Sequence, residues 1–133
     1  MSYEPAFRLR FDLLDLRSRQ SALVHLVEGL AAANAGHLQL HPRVPWLYES
    51  GVTYAEDPEG HECWTDIPET LSRGTGDCKD LVAWRLAEIR VREREEAFPV
   101  VTFARAGARV KFHIAVRRAD GRVEDPSREL GMR

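Results

Sequence analysis

The chain has 133 residues, which is the length of a single domain. Nineteen Lys and Arg residues against 21 Asp and Glu residues leave a net charge of −2, so nucleic acid is not expected as the main partner, because phosphate binding needs a basic surplus. No apolar run approaches the ~18 residues that a membrane span requires, so we expect no membrane partner.

The first 36 residues predict a strand and then a helix. Residues 6–11 alternate apolar and charged side chains, as in a strand with one buried face. Asp15 or Ser18 is suited to cap a helix that runs to about Asn34, and Gly36 is suited to end it. The helix carries one apolar stripe, Leu23, Leu26, Val27 and Leu30.

Residues 37–60 predict a long irregular loop with at most one short strand, because Pro and Gly punctuate it. Loops of this length commonly line a site. A short helix is expected over residues 64–73, begun by Thr65 or Asp66. Residues 74–77 predict a turn, after which a long helix with a buried Val82, Leu86 and Ile89 stripe should begin at Cys78.

After Pro99 the apolar period changes to two, which is typical of strands. Residues 100–104 and 109–118 predict two strands, with a turn at Gly107 between them. A hairpin turn at 119–121 and a short strand at 122–125 follow, and Pro126 stops the pairing. Helices followed by an antiparallel meander predict an α+β fold in one domain over residues 1–133, with residues 37–133 as its core.

Cys78 is the first candidate catalytic residue. Asp77 suits the N-cap, which puts Cys78 in the first helical turn, where free N–H groups and the helix dipole favour the nucleophilic thiolate. A buried structural cysteine on an ordinary capped helix is the competing interpretation.

Two further residues complete a candidate set. His113, mid-strand, offers a base for the thiol, and Asp125, beyond the hairpin, offers a carboxylate to orient the imidazole. A turn centred on Ala119 places Asp125 opposite His113, whereas a two-residue turn places it opposite Val116, on the other face. The pairing therefore requires an odd-length loop or a bulge. An ordinary histidine and a strand-ending Asp-Pro turn are the competing interpretations.

These motifs carry a family resemblance. Gly-Asp-Cys-Lys-Asp at 76–80, His113 within a strand pair and Asp125–Pro126, with Trp64 upstream, resemble the transglutaminase-like superfamily, which has a papain-like fold. The resemblance covers about residues 46–131. The ending Asp-Pro-Ser-Arg-Glu-Leu-Gly-Met is similar to that of small transglutaminase-like proteins encoded in bacteriophage and prophage genomes.

The resemblance implies Cys78 as nucleophile, His113 as general base and acid, and Asp125 as the residue that orients the imidazole. The implied activity is thiol-dependent acyl transfer or hydrolysis on a protein amide through a thioester, as in a cysteine protease, deamidase or transglutaminase. The Cys78 backbone N–H would serve the oxyanion hole. An upstream aromatic often supplies the second donor in this superfamily, although each aromatic also fits an ordinary packing role. The oxyanion or substrate-lining candidates are Tyr54, Tyr48, Trp64 and Asp77, with Trp46 as a further aromatic.

The resemblance also implies partners and a location for the protein. It implies a protein or peptide substrate, with phage structural proteins as a further partner class. The alternative is a non-enzymatic head, neck or tail component with an idle triad, and a host-directed effector is a third reading. The N-terminus has no signal-peptide pattern, so the expected location is the host cytoplasm or the virion.

No cofactor or metal is expected. The chain has no calcium-loop pattern, His61–Cys63 does not match the zinc deaminase signature, and His37 and His41 lie in a Pro-flanked stretch without a C-x-x-C. Cys63 is open to three interpretations: a small apolar residue beside Trp64, a regulatory disulfide with Cys78, or a thiol near the site.

Overall fold

The computed structural model of the chain describes residues 15–58 and 61–133. The predicted strand at residues 6–11 lies outside these ranges. Helices and a small antiparallel sheet share the described residues, which confirms the α+β prediction. The elements are α1 Leu16–Leu40, β1 Thr53–Tyr54, α2 Ile67–Arg73, β2 Thr75–Gly76, α3 Cys78–Glu88, β3 Ala97–Ala106, β4 Arg109–Arg118, β5 Val123–Glu124 and α4 Pro126–Glu129. None of the helices in the described part of the chain is long and apolar enough to cross a bilayer.

Helix α1 begins where the sequence predicts and ends later. The Asp15 Oδ1 atom accepts the Ser18 N–H at 2.7 Å, as an N-cap does. The predicted end at Gly36 is wrong, because the helix continues to Leu40. The reason is tertiary: buried Asn34 accepts the Ile67 N–H of α2 at 3.0 Å through its Oδ1 atom, and Leu38 is buried. These contacts outweigh the local tendency of glycine to end a helix.

Helix α3 lies at the centre of the molecule. Val82, Leu86 and Ile89 are fully buried, which confirms the predicted stripe, but every other residue of α3 is buried as well. Helix α1 and strand β4 both pack on it, as does α4. A π-helical segment, Ile89–Glu93, continues the chain after α3 and ends at left-handed Arg94. The position of the first turn of α3 is therefore fixed from several sides.

Strand β4 is the middle strand of the three-stranded sheet. Strand β3 pairs with its whole length, in the register that sets Thr102 opposite His113. Strand β5 pairs only with its last residues, where Val116 faces Glu124. Residues 119–122 connect β4 to β5, and the Arg118 N–H donates to the Arg122 carbonyl, so an odd number of residues, 119–121, lies inside this closing bond. In this register Asp125 follows β5 opposite Ala115, on the same face as His113 and two residues away from the position directly opposite it.

Strands β1 and β2 form a short parallel pair that brings the long loop to the start of α3. Tyr54 aligns with Gly76, so part of the predicted turn at residues 74–77 is a strand. Gly74 ends α2 in the left-handed conformation, with φ of 76°. A Cβ on Gly76 would lie 3.2 Å from side-chain carbons of Leu81 and Thr70, so this close approach requires glycine.

Candidate active site

Cys78 lies at the first position of α3, in a cleft of about 420 Å³. The side chain is only 7% exposed. The loop that follows β1 forms one side of the cleft with Tyr54, Glu56, Asp57, Pro58 and Glu62, and the first half of β4 forms the other side with Arg109, Val110, Lys111 and Phe112. Asp77 completes the lining. The cleft therefore has an acidic wall and a basic wall.

His113 and Asp125 are in direct contact. The His113 Nε2 atom lies 2.8 Å from the Asp125 Oδ2 atom. Asp125 is also the N-cap of α4, and its Oδ1 atom accepts the Arg128 N–H at 3.4 Å. A carboxylate on Nε2 favours the tautomer with the proton on that nitrogen, which leaves Nδ1 as an acceptor.

The thiol of Cys78 lies against the same strand, one residue further along. The backbone N–H of Ile114 points to the sulfur and favours its ionised form. Among the described residues, no hydrogen bond joins Cys78 to the His113 ring. The structure thus brings His113 and Asp125 together and sets Cys78 beside the neighbouring backbone. Hydrogen bonds of catalytic residues are often longer in the absence of substrate than during reaction.

The protonation state of Cys78 differs from the sequence-based expectation. Burial, and next the negative charge of Asp77, raise the pKa of the thiol from 9.0 to about 12. The Ile114 N–H and Lys79 act in the opposite direction but are weaker. The helix start alone therefore does not make Cys78 a thiolate here, because burial and Asp77 outweigh the groups that favour ionisation.

A buried lysine links the loop after β1 to helix α3. Lys79, fully buried, donates from Nζ to Asp57 Oδ2 at 3.0 Å and to Asp77 Oδ2. Burial alone would lower the pKa of Lys79, but Asp80 and Asp77 outweigh it and hold the ammonium form. Burial would raise the pKa of Asp57, but the Cys63 N–H and Lys79 hold that pKa below its usual range. This ion pair was not predicted from the sequence, although Lys79 lies within the motif.

Asp80, two residues after the thiol, organises the start of α3. Its Oδ1 atom accepts the Thr65 N–H at 2.8 Å, and its Oδ2 atom accepts the Asp77 N–H at 3.2 Å. Burial, and next the charge of Asp77, raise the pKa of Asp80 to about 7. Two buried carboxylates therefore lie within one helical turn of Cys78.

The four aromatic candidates lie in different places. Tyr54 lines the cleft, and its hydroxyl donates to Glu56 Oε1 at 3.2 Å. Tyr48 instead donates to Glu124 Oε2 at 2.5 Å, in a separate polar cluster. Trp64 packs on the core, with the Lys79 ammonium 5.7 Å from its ring, and Trp46 lies over Arg92. Of the four, the structure brings Tyr54 to the cleft that holds Cys78.

A second polar network, which was not predicted from the sequence, holds the residue immediately before Asp125. Glu124 accepts from Arg85 Nε at 2.5 Å and from Arg118 Nη2 at 3.0 Å. Because Arg85 is on α3 and Arg118 ends β4, Glu124 links both elements immediately before Asp125. The signal in the sequence is only the adjacency of Glu124 and Asp125.

The side chains of Cys63, His37 and His41 make other contacts, although the Cys63 N–H donates to Asp57 Oδ2 at 2.8 Å. Both cysteines are free, and Arg73 Nη2 donates to Cys63 Sγ at 3.3 Å. His37 and His41 stack on one another, with ring centroids 4.6 Å apart. Over residues 15–58 and 61–133, no three His, Cys, Asp or Glu side chains gather in an arrangement that would hold a metal ion.

No model of a known family matches this chain, and none of the curated proteins or solved structures matches it either. The site described above rests on the chemistry and geometry of the chain's own residues.

Proposed function

We propose that the chain is a cysteine hydrolase or acyltransferase of the transglutaminase-like type, with a papain-like fold, acting on an amide of a protein or peptide. The observation that carries the proposal is the 2.8 Å contact between His113 and Asp125, on the strand that the thiol of Cys78 lies against. A histidine anchored by a carboxylate, on the same strand as the backbone that contacts a thiol, supplies the residue types that nucleophilic catalysis needs.

The first half-reaction acylates the thiol. As the Cys78 sulfur attacks the amide carbonyl, His113 Nδ1 takes the thiol proton, and the Cys78 backbone N–H donates to the developing oxyanion. Because the pKa of the thiol is about 12, the proton moves during the attack and no preformed ion pair is needed. Asp125 stabilises the imidazolium. The imidazolium then protonates the departing nitrogen, the C–N bond breaks, and a thioester remains.

The second half-reaction releases the acyl group. Water or an amine attacks the thioester, His113 accepts the proton of that nucleophile, and the thiol of Cys78 is restored. Water gives hydrolysis or deamidation, and an amine gives a crosslink. Tyr54, in the cleft, is the proposed second oxyanion donor; burial, and next the charge of Glu56, raise the pKa of its phenol, so the hydroxyl keeps its proton.

The second candidate function is a non-enzymatic structural component of a phage particle. One observation favours it: the Cys78 thiol is nearly inaccessible and neutral, as in a structural cysteine. In either case we propose a bacteriophage or prophage origin, from the resemblance of the motif and the C-terminal residues, with the host cytoplasm or the virion as location.

Acylation by p-nitrophenyl acetate separates the two functions. In a Cys63→Ser background, we expect a burst of p-nitrophenol and one acetyl group on Cys78, identified by peptide mapping. His113→Ala should slow this acylation by about 10²- to 10⁴-fold, because it removes the general base. Asp125→Asn is the conservative companion and should slow it less.

An acetylation rate that His113→Ala leaves unchanged would overturn the catalytic assignment and leave the structural one. Circular dichroism of each variant provides the control for folding, and the rate with free N-acetylcysteine provides the reference for an unassisted thiol.

A further inference from the structure

Among residues 15–58 and 61–133, one edge of strand β4 has no partner strand beside Cys78. Strand β5 pairs with β4 only at Val116 and Arg117, with a further bond from the Arg118 N–H to the Arg122 carbonyl at 2.8 Å. The first half of β4 has no strand on that side within the described part of the chain. This half lines the cleft that holds Cys78.

The alternation of backbone groups shows which residues face this edge. Arg109 pairs with Ala106 across a two-residue turn, so the odd-numbered residues of β4 bond to β3. Arg118 bonds to Arg122 on the β5 side, so the even-numbered residues direct their N–H and C=O groups to that side. Val110 and Phe112 therefore present peptide groups to the cleft.

The Ile114 N–H gives an independent check of this direction. Ile114 is the next even-numbered residue, and its N–H points to the Cys78 sulfur. The unpaired edge therefore runs from Val110 to the thiol, over about 13 Å at ~3.3 Å per residue. Unpaired peptide groups of this kind accept a further strand from another chain.

We propose that the protein binds its substrate as an added β-strand along this edge, with hydrogen bonds to the peptide groups of Val110 and Phe112. The occupant is an extended polypeptide segment with apolar side chains at alternate positions, because the side chains of Val110 and Phe112 share one face of β4. Its continuation past Ile114 brings one of its peptide groups to Cys78. The inference rests on the proposed function, since it specifies the substrate of that site.

The probe for this inference is an acetylated tetrapeptide vinyl sulfone with leucine at alternate positions. The Cys78 thiol adds across the vinyl double bond: sulfur bonds to the β-carbon and the proton goes to the α-carbon, with no leaving group. The second-order rate of Cys78 labelling is measured in the full chain, in a Cys63→Ser background, by intact mass spectrometry. Iodoacetamide, which has no peptide backbone, reports whether the thiol itself is unchanged.

Val110→Pro tests the edge directly. Proline removes an N–H that faces the cleft and leaves the bonds from Arg109 and Lys111 to β3 in place. We expect labelling by the peptide probe to slow about fivefold to tenfold, the effect of one lost hydrogen bond, and labelling by iodoacetamide to stay the same. Val110→Ala, which shortens the same side chain and keeps the N–H, is the matched control, and Val110→Pro should label more slowly than Val110→Ala.

Methylation of the probe's own peptide nitrogens gives the same test without changing the protein. If neither Val110→Pro nor any N-methylated probe slows labelling, while His113→Ala does, strand docking is wrong and the proposed function stands. If the peptide probe labels wild type no faster than His113→Ala, the proposed function fails and the docking inference with it. Faster labelling of Val110→Pro would show that another segment covers the edge, and would also overturn the inference. A dependence on protein concentration would assign that segment to a second copy, and its absence to the same chain.

Discussion

The pH profile of Cys78 alkylation tests the protonation state on which the proposed mechanism depends. Burial and the charge of Asp77 raise the pKa of the thiol from 9.0 to about 12. Three units lower the thiolate fraction at neutral pH by about 1000-fold. A thiolate of higher pKa is also more nucleophilic, with a Brønsted coefficient of about 0.4–0.5. This greater nucleophilicity raises the labelling rate by about 15- to 30-fold and offsets part of the loss. The net expectation is labelling about 30- to 60-fold slower than that of an ordinary exposed thiol.

The assay is the iodoacetamide rate from pH 6 to pH 10 in a Cys63→Ser background. We expect the rate to rise about tenfold per pH unit with no plateau in this range. The slope of the profile carries the test, because limited access to a thiol that is 7% exposed lowers the rate at every pH alike. Asp77→Asn removes the second cause of the shift, so its profile should move to lower pH.

A plateau below pH 8 in wild type that disappears in His113→Ala would refute this reasoning. It would mean that Cys78 and His113 form a thiolate–imidazolium pair in the absence of substrate. The general-base order of events in the first half-reaction would then be wrong, while the identity of the catalytic residues would stand.

Three further predictions concern stability. Lys79→Met leaves the carboxylates of Asp57 and Asp77 without their buried cation and should lower the free energy of unfolding by about 3–5 kcal/mol in urea titrations; a loss under about 1 kcal/mol would contradict the ion pairs of buried Lys79. Because the pKa of Asp80 is raised to about 7 in the folded state, from 3.8, its contribution to stability falls as pH rises from about 4 to about 7 and is constant above. Asp80→Asn should lack this slope when urea unfolding at pH 5 and pH 8 is compared, and an unchanged slope would argue against it. Gly76→Ala should cost about 1–3 kcal/mol through crowding, whereas Gly36→Ala, with no atom within 4 Å of the added carbon, should be neutral or stabilising by up to ~1 kcal/mol; equal effects in thermal melts would contradict the packing argument.

The elements that local chemistry determines were predictable. The Asp15 and Asp66 caps start α1 and α2, and the alternation over residues 109–118 matches β4. The end of α1 was not predictable, because Asn34 bonds to Ile67, 33 residues away along the chain. A glycine that ends helices in isolation is overruled by such a contact, which no local pattern contains.

The candidate site was likewise predictable only in part. The sequence pattern predicted His113 and Asp125 as a pair. It also predicted that they can meet only if the loop between their strands has an odd number of residues, as the turn at 119–121 does. The charge state of Cys78 could not be read from the sequence, since it depends on how completely α1, β4 and α4 enclose α3. The Glu124 network was equally hidden, because its partners come from α3 and β4.

Two effects oppose one another at the start of α3, and their balance sets the protonation state of Cys78. The backbone N–H of Ile114 favours the thiolate, whereas burial and Asp77 favour the neutral thiol and prevail. Asp77, at the N-cap position, thus adds to the effect of burial on the Cys78 thiol while it holds Lys79. Since the thiolate is the form that oxidants and small electrophiles attack, this balance protects Cys78 in the resting protein. In the proposed mechanism, reaction then requires proton transfer to His113, which Asp125 orients, and this transfer takes place only when a substrate carbonyl lies against the sulfur.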